Sequence, residues 1–226
     1  MKKLKKNYYP ELNRGQYALS KLTDYFSLLP NDIVSDIGAG WGWLGPDILK
    51  LGLIWQPFDN IKKIDESRLW DLNNPCPKES KKAGFVILLE VLEHLSNPEL
   101  GVRNIAEHME LDGLAVISTP NPHFVKSKWS YLLNNQLYAF QPKHLREHHV
   151  YVPLPHIVVF HLENSGFELV EFAILGKLKR PRVNFSLRFI SELIYYYILI
   201  TTSLLKLGDL GGTQVFFVRK KYDKHD

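Results

Sequence analysis

The run Asp32-Ile33-Val34-Ser35-Asp36-Ile37-Gly38-Ala39-Gly40-Trp41-Gly42-Trp43 passes from apolar to glycine-rich within a dozen residues. Its first half suits a short buried strand, and the glycines at 38, 40 and 42 stand where that strand must turn. Trp43–Leu53 then reads as a helix, with Pro46 near its start. Strand, glycine turn and helix in this order let a backbone pass close to a nucleotide-like ligand. The dinucleotide fingerprint GxGxxG needs glycine at 43, where Trp43 stands, so a dehydrogenase is disfavoured. A turn that serves only tight strand–helix packing is the competing reading.

Outward from this point the pattern repeats. Gln16–Leu29 is an amphipathic helix closed by Pro30-Asn31, and strands are expected at Ile54–Phe58, Ile64–Leu69 and Gly84–Leu89. Pro98–Met109 reads as a helix stopped by Asp112-Gly113, and Leu114–Ser118 as a strand broken by Pro120-Asn121-Pro122. The alternation predicts a mostly parallel sheet covered by helices on both faces, with ligands beyond the carboxyl ends of the strands. From His123 to about Val152 the periodicity is lost and aromatic, basic and histidine residues crowd together, which reads as an active-site cover. Val158–Ser165 returns as a helix and Phe167–Leu175 as a strand. An apolar helix at about 185–207 precedes a closing strand, Gln214–Arg219.

Composition sets the outer bounds. The 226 residues fit one α/β domain, 1–226, with 123–152 as a lid-like insertion. With 45% apolar and 23% charged residues there is material for a core, which excludes disorder and coiled coil. A net charge of +4, concentrated at Met1–Lys6, Lys177–Arg182 and Arg219–Lys221, is too small to argue for nucleic acid. The single Cys76 excludes an intramolecular disulfide and a cysteine zinc site, and points to a reducing compartment. MKKLKKNYYPEL has no apolar stretch behind its basic start, so a cytoplasmic chain is expected. The uncharged run LIYYYILITTSLL between Glu192 and Lys206 is shorter than the roughly 20 residues that span a bilayer. With the basic run before it, segment 177–207 could rest on a membrane surface or form a homodimer.

D-x-G-x-G-x-G at Asp36–Gly42 has the spacing of S-adenosylmethionine (SAM) sites. Asp59, after the second strand, can accept from both hydroxyls of a ribose, and Asp71 in Trp70-Asp71-Leu72-Asn73 can accept from an adenine amino group beside an aromatic ring. Taken in order, SDIGAGWG, FD, WDLNNP, FVILLEVLEHLSNPE and LDGLAVISTPN, spanning about residues 32 to 122, resemble the class I SAM-dependent methyltransferases. The resemblance implies a Rossmann-like seven-stranded sheet whose last strand is antiparallel. It also implies SAM held by Asp36, Gly38, Gly40, Asp59 and Asp71, with Gly42 in the same turn and Glu90 on the cofactor side. Trp41 and Trp43 are bulkier than usual for such a turn.

Glu90-Val91-Leu92-Glu93-His94 places two carboxylates and an imidazole at i, i+3 and i+4, on one face if the turn is helical. Such a face suits a divalent cation such as magnesium. The E-x-x-E-H segment resembles that of ubiquinone-biosynthesis O-methyltransferases and of small-RNA 3′-terminal 2′-O-methyltransferases. In the latter a later histidine completes the metal site, and His149 is the best match here, with His148 beside it. The candidate metal ligands are therefore Glu90, Glu93, His94 and His149. Without a metal, His94, His148 and His149 are candidates for proton transfer, since an imidazole titrates near neutrality. His108, His123, His144, His156 and His161 are expected on the surface or in loops.

SAM already carries a reactive methyl group, so the protein's work is to align an acceptor and remove its proton. Hydroxyl acceptors need a base or a metal, and both are foreshadowed, so O-methylation of a small-molecule or glycan-type acceptor is expected. An RNA 2′-O-methyltransferase and a non-catalytic interaction module are the alternatives.

Overall fold

The structure, a computed structural model, describes residues 4–178, 190, 193–198, 200–201 and 209–223. Its strands are β1 (Lys6–Tyr9), β2 (Ile33–Ile37), β3 (Ile54–Asp59), β4 (Arg68–Leu69), β5 (Ala83–Leu89), β6 (Met109–Pro120), β7 (Phe167–Leu175) and β8 (Thr213–Lys220). Its helices are α1 (Arg14–Tyr25), α2 (Gly45–Lys50), α3 (Pro98–His108), α4 (Val125–Asn134), α5 (Pro142–Leu145) and α6 (Pro155–Asn164). One sheet runs in the order β1-β7-β8-β6-β5-β2-β3-β4. Its centre is parallel, and β8 enters antiparallel to both β6 and β7.

The pleat sorts each central strand between two cores. Val34, Phe85, Ile87, Val116 and Phe217 face α1 and α2, with Tyr17, Leu22 and Ile48 opposite. Ile33, Ile37, Val86, Leu88, Ile117 and Phe216 face α3 and α6, with Val102, Ile105, Val158 and Leu162 opposite. Continuous apolar strands are thus buried on both faces, as parallel sheets require.

The α/β fold with helices on both faces agrees with the expectation, but the sheet has eight strands rather than seven. The added strand is β1, whose basic surroundings hide its alternation. It pairs parallel with β7, and Asn7 and Tyr9 donate to Glu171 Oε1 at 3.0 and 2.7 Å. The strand expected at 64–69 shrinks to β4, and the helix expected at 43–53 to α2. Strand β6 begins at Met109 instead of 114, because the chain leaves α3 already extended and a register shift against β5 absorbs residues 110–113. Asp112 takes φ 60° in that irregularity, so Asp112-Gly113 bends strand β6 instead of stopping the helix, which already ends at His108.

Two helices, α4 and α5, lie in 123–152, where no element was expected. Val125, Trp129, Leu132 and Leu133 do recur at helical spacing, but the intervening polar residues mask it. Residues 190, 193–198 and 200–201 are helical, while the rest of the helix expected at 185–207, and residues 179–182 of the basic run, lie outside the described residues. His108 is buried, against expectation: its Nε2 meets Ser35 Oγ at 2.8 Å, and its ring packs edge-on against Phe58 and Trp70.

Candidate active site

The glycine turn sits at the carboxyl end of β2, where Gly38, Gly40 and Gly42 have φ of 76°, 57° and 70°. The amides of Gly38 and Ala39 both donate to the Phe58 carbonyl, at 2.8 and 3.0 Å, which ties the turn to β3. A Cβ on Gly38 would lie 2.4 Å from Val91 Cγ2, and one on Gly42 would meet Ile64 and the Trp55 ring at 2.9 Å. A Cβ on Gly40 would meet nothing within 4 Å. Packing therefore accounts for two of these glycines, and the third borders open space.

Asp59 braces the turn from β3. Its Oδ2 accepts from the Gly40 amide at 2.9 Å and its Oδ1 from the Ile61 amide at 3.2 Å, leaving a lone pair on each oxygen for a further donor. Asp36 is buried, accepts from Trp55 Nε1 at 3.2 Å, and has its pKa pushed up to about 6, chiefly by burial. Asp71 is exposed in the turn after β4, where its Oδ1 accepts from the amide and side chain of Asn73.

Two cavities meet over this turn, sharing Gly38 and Leu89. One, of about 750 Å³, is bordered by Asp59, Asp71, Leu72, Glu90, His94 and His148. The other, of about 650 Å³, is bordered by Arg14, Asp36, Trp43, Phe124, Lys126 and Tyr138. Trp41 and Trp43 are both largely exposed, and Trp43 stands at the border of the smaller cavity.

The E-x-x-E-H segment forms no continuous helical face. Glu90 follows β5 in the left-handed region at φ 57°, a strained conformation for a side chain of its size, and only Leu92–His94 make a 3₁₀ turn. The break separates the two carboxylates. Glu90 Oε1 accepts from Ser118 Oγ at 3.0 Å, whereas Glu93 is fully buried with neither oxygen hydrogen-bonded among the described residues. Burial, and secondly the charge of Glu90, push the Glu93 pKa up to about 9.

The Glu93 carbonyl accepts from the amides of Val150 and Tyr151, which draws the 145–151 segment over the turn. His149 thereby comes edge-on to His94, with ring centroids 4.7 Å apart. His94 Nδ1 lies 2.7 Å from the Glu147 carbonyl and His149 Nδ1 lies 2.9 Å from that of Ala139. A carbonyl only accepts, so each ring carries a proton on Nδ1, and in the neutral form the lone pair is on Nε2. Ligand atoms of Glu93, His94 and His149 all lie within 4.8 Å of one another; Glu90 is outside this group. One orphaned carboxylate and two imidazoles whose far nitrogens are anchored by carbonyls form a donor set that fits a divalent cation. Burial also lowers the His94 pKa, which keeps its ring neutral. His148, at φ 62°, is exposed and borders the larger cavity.

Some residues at the site carried no sequence signal. Arg14, at the start of α1, borders the smaller cavity, and its charge opposes the rise in the Glu90 pKa. Lys126 Nζ lies 5.6 Å from the Tyr138 ring centroid, so α4 and the loop after it wall that cavity. The helix expected from Gln16 begins instead at Arg14, behind an Asn13 cap, and the approach of α1 to β5 has no local signal in the sequence.

Comparison with known proteins gives one family and one fold. Residues 13–171 match the family described as "Methyltransferase domain". Ubiquinone biosynthesis O-methyltransferase of Rickettsia canadensis is 23% identical over 174 residues, covering 70% of this chain and 72% of that protein. Its counterpart in Rickettsia bellii is also 23% identical, covering 70% of each chain. Among solved structures, a SAM-dependent methyltransferase from Archaeoglobus fulgidus superposes with a TM-score of 0.59 at 16% identity, covering 91% of this chain and 94% of that one. Magnesium protoporphyrin IX methyltransferase from Synechocystis PCC 6803, with bound SAH, has a TM-score of 0.57 at 14% identity, covering 92% and 82%.

Proposed function

We propose, from the premise that this chain belongs to the methyltransferase-domain family and uses SAM, that it methylates a hydroxyl oxygen of a small-molecule or glycan-type acceptor. The observation that carries this reading is His94, whose Nδ1 is anchored at the Glu147 carbonyl, whose pKa is lowered by burial, and whose ring borders the cavity over the glycine turn with His149 edge-on beside it. A hydroxyl acceptor needs such a base, whereas an amine attacks as its free base. The O-methyltransferase names of the curated relatives support the same choice.

When bound, SAM supplies an electrophilic methyl group on sulfur. Gly40 offers the space for it, Asp59 and Asp71 carry the lone pairs for its sugar and base, and Asp36, Gly38, Gly42 and Glu90 line or hold the turn beneath it. His149 or His94 would take the acceptor proton at Nε2, and His148, at the cavity rim, would pass it to solvent. In the alternative to base catalysis, Glu93, His94 and His149 would hold a divalent cation, the Nε2 atoms of the two histidines serving as ligands and not as bases, and the cation's chemistry would be to lower the pKa of an acceptor hydroxyl.

We place the protein in the cytoplasm on the strength of its lone cysteine; among the described residues no helix is long and apolar enough to cross a membrane. The test is methyl transfer from labelled SAM to a panel of phenols, sugars and amines, with chelator and with added magnesium. Transfer to hydroxyls is the expected result, and its loss in chelator with restoration by magnesium would assign Glu93, His94 and His149 to a cation. Transfer confined to amines would overturn O-methylation, and indifference to both additions would overturn the cation.

A further inference from the structure

Three cations border the smaller cavity, and they differ in what answers them. Lys177 is ion-paired with Glu11 at 2.7 Å. Arg14 is exposed, has no salt bridge among the described residues, and acts through its charge on Glu90 and Glu93. Lys126, on α4, is half-buried, and its ammonium has neither an ion pair nor a hydrogen bond among the described residues. It lies 5.6 Å from the centroid of the Tyr138 ring. Acids are scarce around it. Among the described residues that border the cavity only Asp36 carries a carboxyl group, and it is buried and bonded to Trp55. From Gly113 to Arg146 the chain holds no acid, and Asp209, whose carbonyl accepts from the Val125 amide, is ion-paired with Lys6. A half-buried ammonium loses hydration, and one ring face returns only part of it.

An oxyanion would complete the set. SAM carries one carboxylate of its own, so a cavity bordered by two cations without salt bridges has a place for a second anion. Trp43 and Tyr138 border the same cavity while 80% and 45% exposed, which leaves flat faces beside the cations on which a ring can lie. We propose that the smaller cavity receives the methyl acceptor and that this acceptor is an acid, its carboxylate or phosphate held by Lys126 and its ring set against Tyr138 and Trp43. The acceptor hydroxyl is then directed to Gly38 and Leu89, where this cavity meets the larger one that His94 borders. Lys126 selects the acceptor and takes no part in proton transfer. The inference rests on the O-methylation reading for the hydroxyl alone, and the anion site is tested apart from it.

The test is calorimetric titration of the full chain, loaded with SAH, with matched probes: catechol against 3,4-dihydroxybenzoate, and glucose against glucuronate and glucose 6-phosphate. At least one acid should bind about tenfold or more tightly than its neutral partner, an advantage that falls as salt rises. The carboxylate and phosphate arms tell which anion the site takes. Lys126→Gln should remove the advantage and Lys126→Arg should keep it. Lys128→Gln, which takes the same charge from α4 beside a different groove, should leave it unchanged. SAM affinity should hold in all three variants and certify their folding. Equal binding of acids and neutral partners, no binding by any acid, or an advantage that survives Lys126→Gln would each overturn the proposal. Loss of SAM affinity in Lys126→Gln would also overturn it, by giving Lys126 to the cofactor. Tight acid binding with methyl transfer confined to amines would overturn O-methylation and leave the anion site standing.

Discussion

Gly38 and Gly40 share a turn but not a reason for being glycine. Val91 forbids a side chain at 38, while at 40 the space is open and only a ligand and the φ of 57° have a claim on it. Gly40→Val should therefore abolish detectable SAM binding in calorimetry while the fold survives. Gly40→Asn, which tolerates a left-handed backbone, should lose less. An unchanged affinity for the valine variant would contradict the placement. His149→Ala should lower kcat by about 10²-fold or more with SAM affinity held, because its ring packs edge-on against His94, which borders the larger cavity. A different titration governs stability. The His108 pKa lies near 4 because the ring is buried, and Ser35 Oγ, which accepts from Gln56 Nε2, donates to the unprotonated His108 Nε2. Its folded value is below the unfolded value of about 6.5, so its stabilising effect is complete above that pH and is lost as pH falls toward 4. Chemical denaturation across this window should show a decline of about 3 kcal/mol attributable to His108, and His108→Phe should flatten it.

Helix α1 shows how an element can be legible and its importance hidden. Asn13 and Gln16 form a reciprocal capping box, each side chain 3.0 Å from the other's amide, which fixes where the helix begins. Asn13→Ala should cost about 1 kcal/mol in urea unfolding, and an unchanged midpoint would show that the cap is dispensable. The cap also sets Arg14 at the cavity, a consequence of packing against β5 and β6 that no local pattern carries. Strands β2, β5, β7 and β8 were readable to within a residue or two because burial on both faces leaves continuous apolar runs. Strand β1 was not, because at the sheet edge it is half exposed and borrows its order from β7. Helix α4 escaped notice for a related reason: its exposed leucines look like scatter until the core at Trp129 gives them a direction.

Across the whole molecule, ligand and fold are linked. The turn, Asp59 and the end of β5 are held by contacts between elements distant in sequence, so a ligand that binds only the assembled site must stabilise all of it. SAM at about 100 times its Kd should add about 2.7 kcal/mol, a rise in Tm of roughly 5–10 °C for a domain of this size. Asp59→Ala should remove most of that rise, and a rise that survives intact would place SAM elsewhere. The sequence by itself determined the alternation of strands and helices, the glycine turn, and the carboxylates at strand ends, because periodicity and turn chemistry are properties of neighbouring residues. Tertiary structure decided that Glu93 and His94 meet His149 while Glu90 turns to Ser118. It also decided that Arg14 and Lys126 wall a cavity and that an edge strand makes the eighth. These pairings arise where distant segments are pressed together by burial of apolar surface, and spacing along the chain does not encode which polar groups are then left facing one another.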